Sequence, residues 1–311
     1  DLIWFGSGNT LFVCHQDMPT QVITRTGASS WSRAAYAFAT GPADRPEQPY
    51  LKLANPDFTL QPSALTGSIT LTLGGTSTAY FTANHVGTYI RYLEKACLIT
   101  AVAGDGLSVT ATVIEKLPDT QDLTVTSTTD FAVGELVEQS TTAAQGLITA
   151  IGGGTSMTVV VTDGLTPFNG SSTIIGPNAT TSCSGQASAA TKAAVDDWDE
   201  QLIGPVYGYP GCGTLHRNRL LFAGHAAAPD YLIGSELNNL YSFNVGDGSD
   251  GDAMLESIGD AAASRIVQLY SAEQLLVLTD KGPYYVPETA TAPFRPSSLA
   301  FFQFGSPWPI T

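Results

Sequence analysis

Apolar and polar residues alternate with a period of two in several short segments of this 311-residue chain. In 68–73 and 108–113, Ile, Leu, Val or Ala alternates with Ser or Thr. This period places one face of a strand on a core and the other in water. Short apolar or branched runs that stop at turn residues predict further strands at 2–5, 10–14, 21–24, 31–38, 219–223, 231–234, 265–270, 274–279 and 283–286. The best helix candidate is the Ala-rich segment 187–200, with an exposed linker as the alternative.

The composition also favours strands joined by tight turns. Charged residues make up 13% of the chain, and it contains 31 Gly and 18 Pro. We therefore predict an all-β fold. Residues 50–195 are poor in Lys and Arg, and near Phe81, Phe131 and Phe168 an aromatic residue precedes glycine and an apolar strand. This block predicts small β-barrel or β-sandwich modules, and convergent turn chemistry explains the loose repeat as well as duplication does.

The net charge of -15 argues against a surface that grips nucleic acid, because such a surface needs clustered Lys and Arg. A negative wall would instead let DNA slide past, and solubility explains the acidity equally well. The segment 215–224 stands apart, because His216, Arg217 and Arg219 precede an apolar strand that ends at Gly224. Alternate positions put the two arginines on one side of a strand. Ion pairing or a subunit contact is preferred over contact with DNA phosphates.

The order of motifs after residue 200 carries a family resemblance. An Arg-Leu strand ending in Phe and Gly is followed by a proline-led strand, an aromatic turn at 239–243, an acidic loop and the apolar strand 274–282. This order resembles the tail tubular protein B family, the nozzle proteins of short-tailed bacteriophages, and residues 11–31 are similar to the family's opening. The positions that match the family pattern are His216, Arg217, Arg219, Phe222, Gly224, Ser235, Phe243, Thr279 and Gly282.

The resemblance implies a β-propeller-like domain made of residues 1–48 and 200–311 and interrupted by the modules of 50–195. Regular four-strand spacing fits propeller blades, although composition alone does not distinguish a propeller from a large sandwich. The implied function is that of a structural nozzle subunit in the virion tail, forming the distal channel for genome ejection. The implied partners are further copies in a ring, expected to be a hexamer, a tail adaptor ring protein, tail fibre or spike proteins, and DNA that passes without specific binding.

The chemistry-bearing residues predict neither an enzyme nor a cofactor site. Asp247, Asp250 and Asp252 are weak candidates for a cation site, but their spacing fails the EF-hand pattern and a solvated acidic turn is preferred. Cys14 and His15 are adjacent and therefore point to opposite faces of a strand. The four cysteines, spread singly, are expected to be buried or half-buried thiols.

Two other function classes remain open. A carbohydrate-binding or receptor-binding tail protein would use the modules of 50–195 to recognise the host surface. A depolymerising hydrolase would need paired carboxylates in a cleft, and no pair stands out in the sequence. No apolar run reaches the length of a membrane span, so membrane insertion is not expected.

Overall fold

The computed structural model describes residues 2–162, 166–259, 264–289 and 293–304. Its strands are β1 (Ile3–Ser7), β2 (Thr10–His15), β3 (Met18–Arg25), β4 (Trp31–Ala35), β5 (Tyr50–Leu51), β6 (Thr59–Pro62), β7 (Ser68–Gly74), β8 (Tyr89–Tyr92), β9 (Lys95–Val102), β10 (Ser108–Val113), β11 (Thr120–Val125), β12 (Leu136–Gln139), β13 (Gln145–Gly152), β14 (Ser156–Val161), β15 (Ser172–Ile175), β16 (Thr180–Ser188), β17 (Trp198–Gln201), β18 (Cys212–His216), β19 (Arg219–Ala223), β20 (Tyr231–Gly234), β21 (Met254–Ser257), β22 (Ile266–Ser271), β23 (Leu275–Thr279), β24 (Gly282–Val286) and β25 (Phe302–Gln303). Short 3₁₀ turns lie at Pro42–Asp44, Ala83–His85 and Pro296–Ser298.

The all-β prediction is confirmed, but the helix predicted at 187–200 is wrong. Strand β16 continues to Ser188, and β17 begins at Trp198. In β17 the side chains of Trp198 and Glu200 are buried while their neighbours are half-buried, which is the period of a strand. Pairing of β17 with β8 overrides the helix propensity of the preceding alanines. Among the described residues, no helix is long and apolar enough to cross a membrane.

The chain divides into two compact units, and unit 2 comprises Lys52–Glu200. Part of it is a sheet in which the strands pair in the order β17-β8-β9-β10-β7-β6, around a core that includes Leu71, Ile90 and Trp198. The remainder is a closed barrel of β11, β14, β13, β12, β15 and β16. Closure removes exposed strand edges, and the barrel interior is filled by apolar side chains such as Ile148 and Phe168.

Unit 1 comprises Asp1–Leu51 and Gln201–Thr311. Its described residues contain three four-stranded antiparallel sheets, β1-β2-β3-β4, β18-β19-β20-β21 and β22-β23-β24-β25, each in chain order. The second sheet lies between the other two. Phe5 of β1 packs on Gly213 of β18, while Leu221 on the opposite face shares a core with Leu269 and Val277. All five residues of β19 are buried because the central sheet is covered on both faces.

The propeller-like part of the fold prediction stays a prediction. The structure establishes a stack of three sheets, in which strand β18 of the central sheet packs on β1 of the first sheet and on β22 of the third. The four cysteines are buried free thiols, as expected from their single, scattered positions.

Candidate binding site

The β18–β19 hairpin places the basic residues of segment 215–224. Its two-residue turn, Arg217 and Asn218, has φ angles of 47° and 61°, as a type I′ hairpin turn requires. His216 and Arg219 therefore pair directly across the hairpin. The prediction that Arg217 and Arg219 lie on one side of a single strand is wrong, because Arg217 occupies the turn rather than the strand.

His216 is buried at the end of β18 and binds Glu288. Its Nε2 lies 2.5 Å from Oε1 of Glu288, and its Nδ1 lies 2.9 Å from Oγ of Ser271. Burial lowers the pKa of His216, and the hydrogen bond with Glu288 opposes that shift. The neutral ring therefore donates from Nε2 to the carboxylate and accepts the serine hydroxyl at Nδ1.

Arg217 binds the same carboxylate from the turn. Its Nε donates to Oε2 of Glu288 at 2.6 Å, and its Nη2 donates to the carbonyl oxygen of Glu273 at 2.8 Å. About half of the Arg217 side chain is exposed, whereas Glu288 is nearly buried. Glu288 thus joins the hairpin to the segment that follows β24.

Arg219 is the most deeply buried of these bases, with 1% of its surface exposed. Its Nη1 donates to the carbonyl oxygens of Ser235 and Asp252 at 2.7 and 2.6 Å, and its Nη2 donates to that of Asp250 at 2.6 Å. Burial lowers the pKa of Arg219 below its ordinary value, against the effect of Asp252 and two further acids. Arg219 therefore anchors the acidic loop to the end of β20.

Arg217 and Arg219 line a cavity of about 570 Å³, which we call the arginine cavity. This volume lies within the range of small-molecule sites. Arg295 also lines it and donates from Nη1 to Oδ2 of Asp250 at 2.5 Å. The Nε atoms of Arg219 and Arg295 are buried and have no hydrogen-bond partner among the described residues. The residues that line the arginine cavity are Arg217, Arg219, Leu237, Asp250, Glu288, Thr289, Pro293, Phe294 and Arg295.

The other family-like positions lie in the packed interior of unit 1. The rings of Phe222 and Phe243 stack with their centroids 5.6 Å apart. Ser235 is fully buried and accepts the backbone N–H of Leu220 at 2.9 Å. Gly224 has a φ of 65°, and a Cβ there would lie 2.7 Å from the carbonyl oxygen of Ile266. These residues support the stack of sheets and do not line the arginine cavity.

Thr279 and Gly282 belong to the β23–β24 hairpin. The hydroxyl of Thr279 donates to the carbonyl oxygen of Gly282 at 2.7 Å and accepts the N–H of Lys281 at 3.2 Å. Gly282 has a φ of 142°, which side-chain-bearing residues rarely adopt. Both residues therefore set the geometry of a turn.

His225, which follows Gly224, is a buried histidine that the sequence analysis did not single out. Its Nε2 lies 3.0 Å from the carbonyl oxygen of Gly208, and its Nδ1 accepts the N–H of Ala227 at 3.2 Å. Burial lowers its pKa, partly opposed by the hydrogen bond to Gly208. The surroundings therefore select the neutral ring with its proton on Nε2.

The three acidic residues of the loop do not converge on a common point. Asp252 accepts the N–H of Ser249 at 2.7 Å, Asp247 accepts the Ser249 hydroxyl at 3.0 Å, and Asp250 binds Arg295 and Ser297. The hydrogen bond from Ser249 lowers the pKa of Asp247. Within the described ranges, no group of three His, Cys, Asp or Glu side chains is arranged to hold a metal ion.

A second polar cluster is buried in unit 2. His85 Nδ1 accepts the N–H of Thr82 at 3.0 Å, so the ring proton lies on Nε2, which is 3.4 Å from Oε1 of Glu200. The hydroxyl of Tyr80 donates to Oε2 of the same carboxylate. His85 and Glu200 are each 3% exposed. This cluster packs within the core of unit 2.

Sequence reasoning missed Glu288, Phe294 and Arg295, which complete the arginine cavity. The Phe294 ring packs edge-on against His216, with centroids 4.9 Å apart. Glu288 lies 72 positions from His216, and the segment around it shows no motif. The conspicuous density of arginine in 217–219 was the only local signal of the site.

No family model and no curated protein matches the chain. The resemblance to the nozzle family therefore stays a prediction. Among solved structures, the chain is similar to the endosialidase of phage phi92, with a TM-score of 0.22 and 11% identity. The match covers 97% of this chain and 46% of the endosialidase chain, so this chain spans just under half of that protein.

This comparison corrects the prediction that the chain is not an enzyme. The matched protein is an endosialidase, and the prediction is not retained. At a TM-score of 0.22, the match also does not transfer endosialidase activity to this chain.

Proposed function

We propose that the chain is a carbohydrate-binding or receptor-binding protein of a phage tail, and that the arginine cavity is its ligand site. The observation that carries the proposal is the convergence of Arg217, Arg219 and Arg295 on one cavity of an acidic chain. The order of motifs in residues 200–286 supports the assignment to a phage tail.

The charge of the arginine cavity favours an anionic ligand. Three of the chain's 13 basic residues line it, although the chain as a whole carries a net charge of -15. Asp250 and Glu288 neutralise two of those three charges, which leaves one in excess. A guanidinium presents parallel N–H groups that match the two oxygens of a carboxylate.

The remaining walls suit a sugar ring. Leu237, Pro293 and Phe294 also line the arginine cavity and add apolar surface to its polar groups. A saccharide that bears a carboxylate has both an anionic group and a C–H face, so its chemistry matches both kinds of lining residue. This proposal locates recognition in unit 1 and not in the modules of 50–195, where the sequence analysis expected it.

A glycan array tests the proposal with the full chain. We expect saturable binding of glycans that carry uronic or sialic acids and weak binding of neutral glycans. Arg295→Gln removes a cavity donor and should weaken binding about tenfold, the equivalent of about 1.4 kcal/mol. Arg33→Gln, which removes an exposed arginine of β4, is the matched control and should bind as the unaltered chain does. Equal binding by the Arg295 variant would contradict the proposal.

A nozzle subunit is the second candidate, favoured by the stack of three four-stranded sheets in unit 1. In this proposal the sheets are blades of a propeller-like domain made of residues 1–48 and 200–311, with 50–195 inserted. The subunits form a ring, expected to be a hexamer, in the virion tail, beneath the adaptor ring and beside fibre or spike proteins. The acidic chain would let ejected DNA pass. Electron micrographs of virions test it, and single subunits outside any ring would contradict it.

A further inference from the structure

The outer face of the first sheet of unit 1 carries two exposed tryptophans and has no covering element among the described residues. Trp4 and Trp31 are 70% and 61% exposed. Cross-strand pairing places them on the same face, with half-buried aliphatic residues between them. We call this the tryptophan face; it comprises Trp4, Leu11, Val13, Gln21, Ile23, Arg25, Trp31, Arg33 and Ala35.

The outer face of the third sheet has the same character. One cross-strand row runs through Tyr270, Leu276, Tyr285 and Phe302. Phe304 extends the row, with its ring 5.7 Å from that of Tyr285. Tyr270, Phe302 and Phe304 are 59%, 50% and 62% exposed. We call this row with Phe304 the tyrosine face.

We propose that the tryptophan face of one copy packs against the tyrosine face of a second copy, so that the stack of sheets continues from one chain into the next. Within one copy the central sheet already packs between two others through apolar faces of this kind. The inference goes beyond both proposed functions, because it rests on the fold of unit 1 alone.

The exposed area is sufficient for a specific interface. If a buried aromatic side chain covers about 200 Å², the five exposed rings would bury about 600 Å² of apolar surface. Interfaces are about 57% apolar, so this corresponds to about 1,000 Å² in total, the lower limit for a stable contact. The half-buried Leu11, Ile23 and Leu276 add to it.

The charges favour unlike faces over like faces. Arg25 and Arg33 lie on the tryptophan face, whereas Glu273, Asp280 and Lys281 flank strand β23 of the tyrosine face and leave one negative charge in excess. Two tryptophan faces would bring arginines together with no carboxylate on either face, whereas the unlike pairing sets the arginines against the excess negative charge. A head-to-tail contact pairs opposite charges and leaves one face open at each end for another copy.

Sedimentation velocity of the purified chain over a wide concentration range tests the inference. We expect the mean mass to rise with concentration for the unaltered chain. Trp31→Glu and Tyr270→Glu each destroy one face and should each remain at the mass of one chain. Leu136→Glu, which alters a residue that is 61% exposed in unit 2, is the control and should still assemble.

Mixing the two variants tests the head-to-tail geometry. The Trp31 variant retains its tyrosine face and the Tyr270 variant retains its tryptophan face, so an equal mixture should form particles of two chains and none larger. That particle also shows that both variants are folded. Assembly of either variant alone, a mixture that stays at the mass of one chain, or an unaltered chain that never associates would overturn the inference.

Discussion

Replacing Arg219 by Met tests whether a buried guanidinium holds unit 1 together. Met keeps most of the apolar stem but donates no hydrogen bond. The carbonyls of Asp250 and Asp252 lie in a solvent-accessible loop and can bind water, whereas the carbonyl of Ser235 belongs to a fully buried residue. The variant loses three hydrogen bonds, and the carbonyl of Ser235 cannot replace its bond with one to water. The free energy of unfolding should therefore fall by about 2–3 kcal/mol. Arg219→Lys should give an intermediate loss, because an ammonium lacks the planar fork.

Native-state hydrogen exchange is the suitable assay, because the chain has two units and need not unfold in one step. Amides in β19 should exchange about 30 to 140 times faster in the Met variant, the equivalent of 2–3 kcal/mol. Amides in β9, which lies in unit 2, serve as the internal control and should be unchanged. A change below threefold in β19 would refute the argument that the guanidinium anchors the acidic loop.

Three further predictions concern buried groups and a turn. Burial lowers the pKa of His225 in the folded chain, so below about pH 6.5 the unfolded chain binds more protons than the folded chain. Unit 1 should therefore lose stability as the pH falls through that value. Urea titrations at pH 7.5 and 5.5 should show a smaller loss for His225→Gln than for the unaltered chain. Glu200→Leu removes the acceptor of the Tyr80 hydroxyl and the carboxylate that lies 3.4 Å from Nε2 of buried His85. It should destabilise unit 2 by about 1–3 kcal/mol, measured by the fluorescence of buried Trp198, and an unchanged midpoint would contradict this. Gly224→Ala should lower the melting temperature much more than Gly248→Ala. Both glycines have a positive φ, but only a Cβ added at Gly224 would meet a backbone atom. Equal losses of melting temperature would count against a steric cause.

Local pattern was sufficient to predict most strands of unit 1. The segments 219–223 and 231–234 coincide with β19 and β20, because branched and aromatic residues end at glycine in each. The strand predicted at 31–38 is too long, since β4 ends at Ala35. The helix at 187–200 failed because alanine favours a helix only where no strand partner competes, and β17 pairs with β8.

The candidate site was only partly predictable. Segment 215–224 contributes His216 and two arginines, and the clustering of these basic residues in the sequence indicated them. The Glu288 carboxylate that binds two of them comes from a segment 72 residues away, so the pairing depends on the packing of separate sheets. A turn with φ above zero at Arg217 was also unexpected, since residues with a Cβ seldom occupy that region.

The three arginines of the cavity cannot be treated as equivalent when the proposed function is tested. Arg219 donates three hydrogen bonds to backbone carbonyls. Its loss is therefore expected to move the acidic loop, including Asp250, which binds Arg295. A loss of binding in an Arg219 variant would therefore follow from structure as readily as from lost ligand contact. Arg295 is partly exposed and bonds only to Asp250 among the described side chains, so its substitution separates the two causes. Weakened glycan binding with unchanged hydrogen exchange in β19 is the combination that only a ligand contact explains.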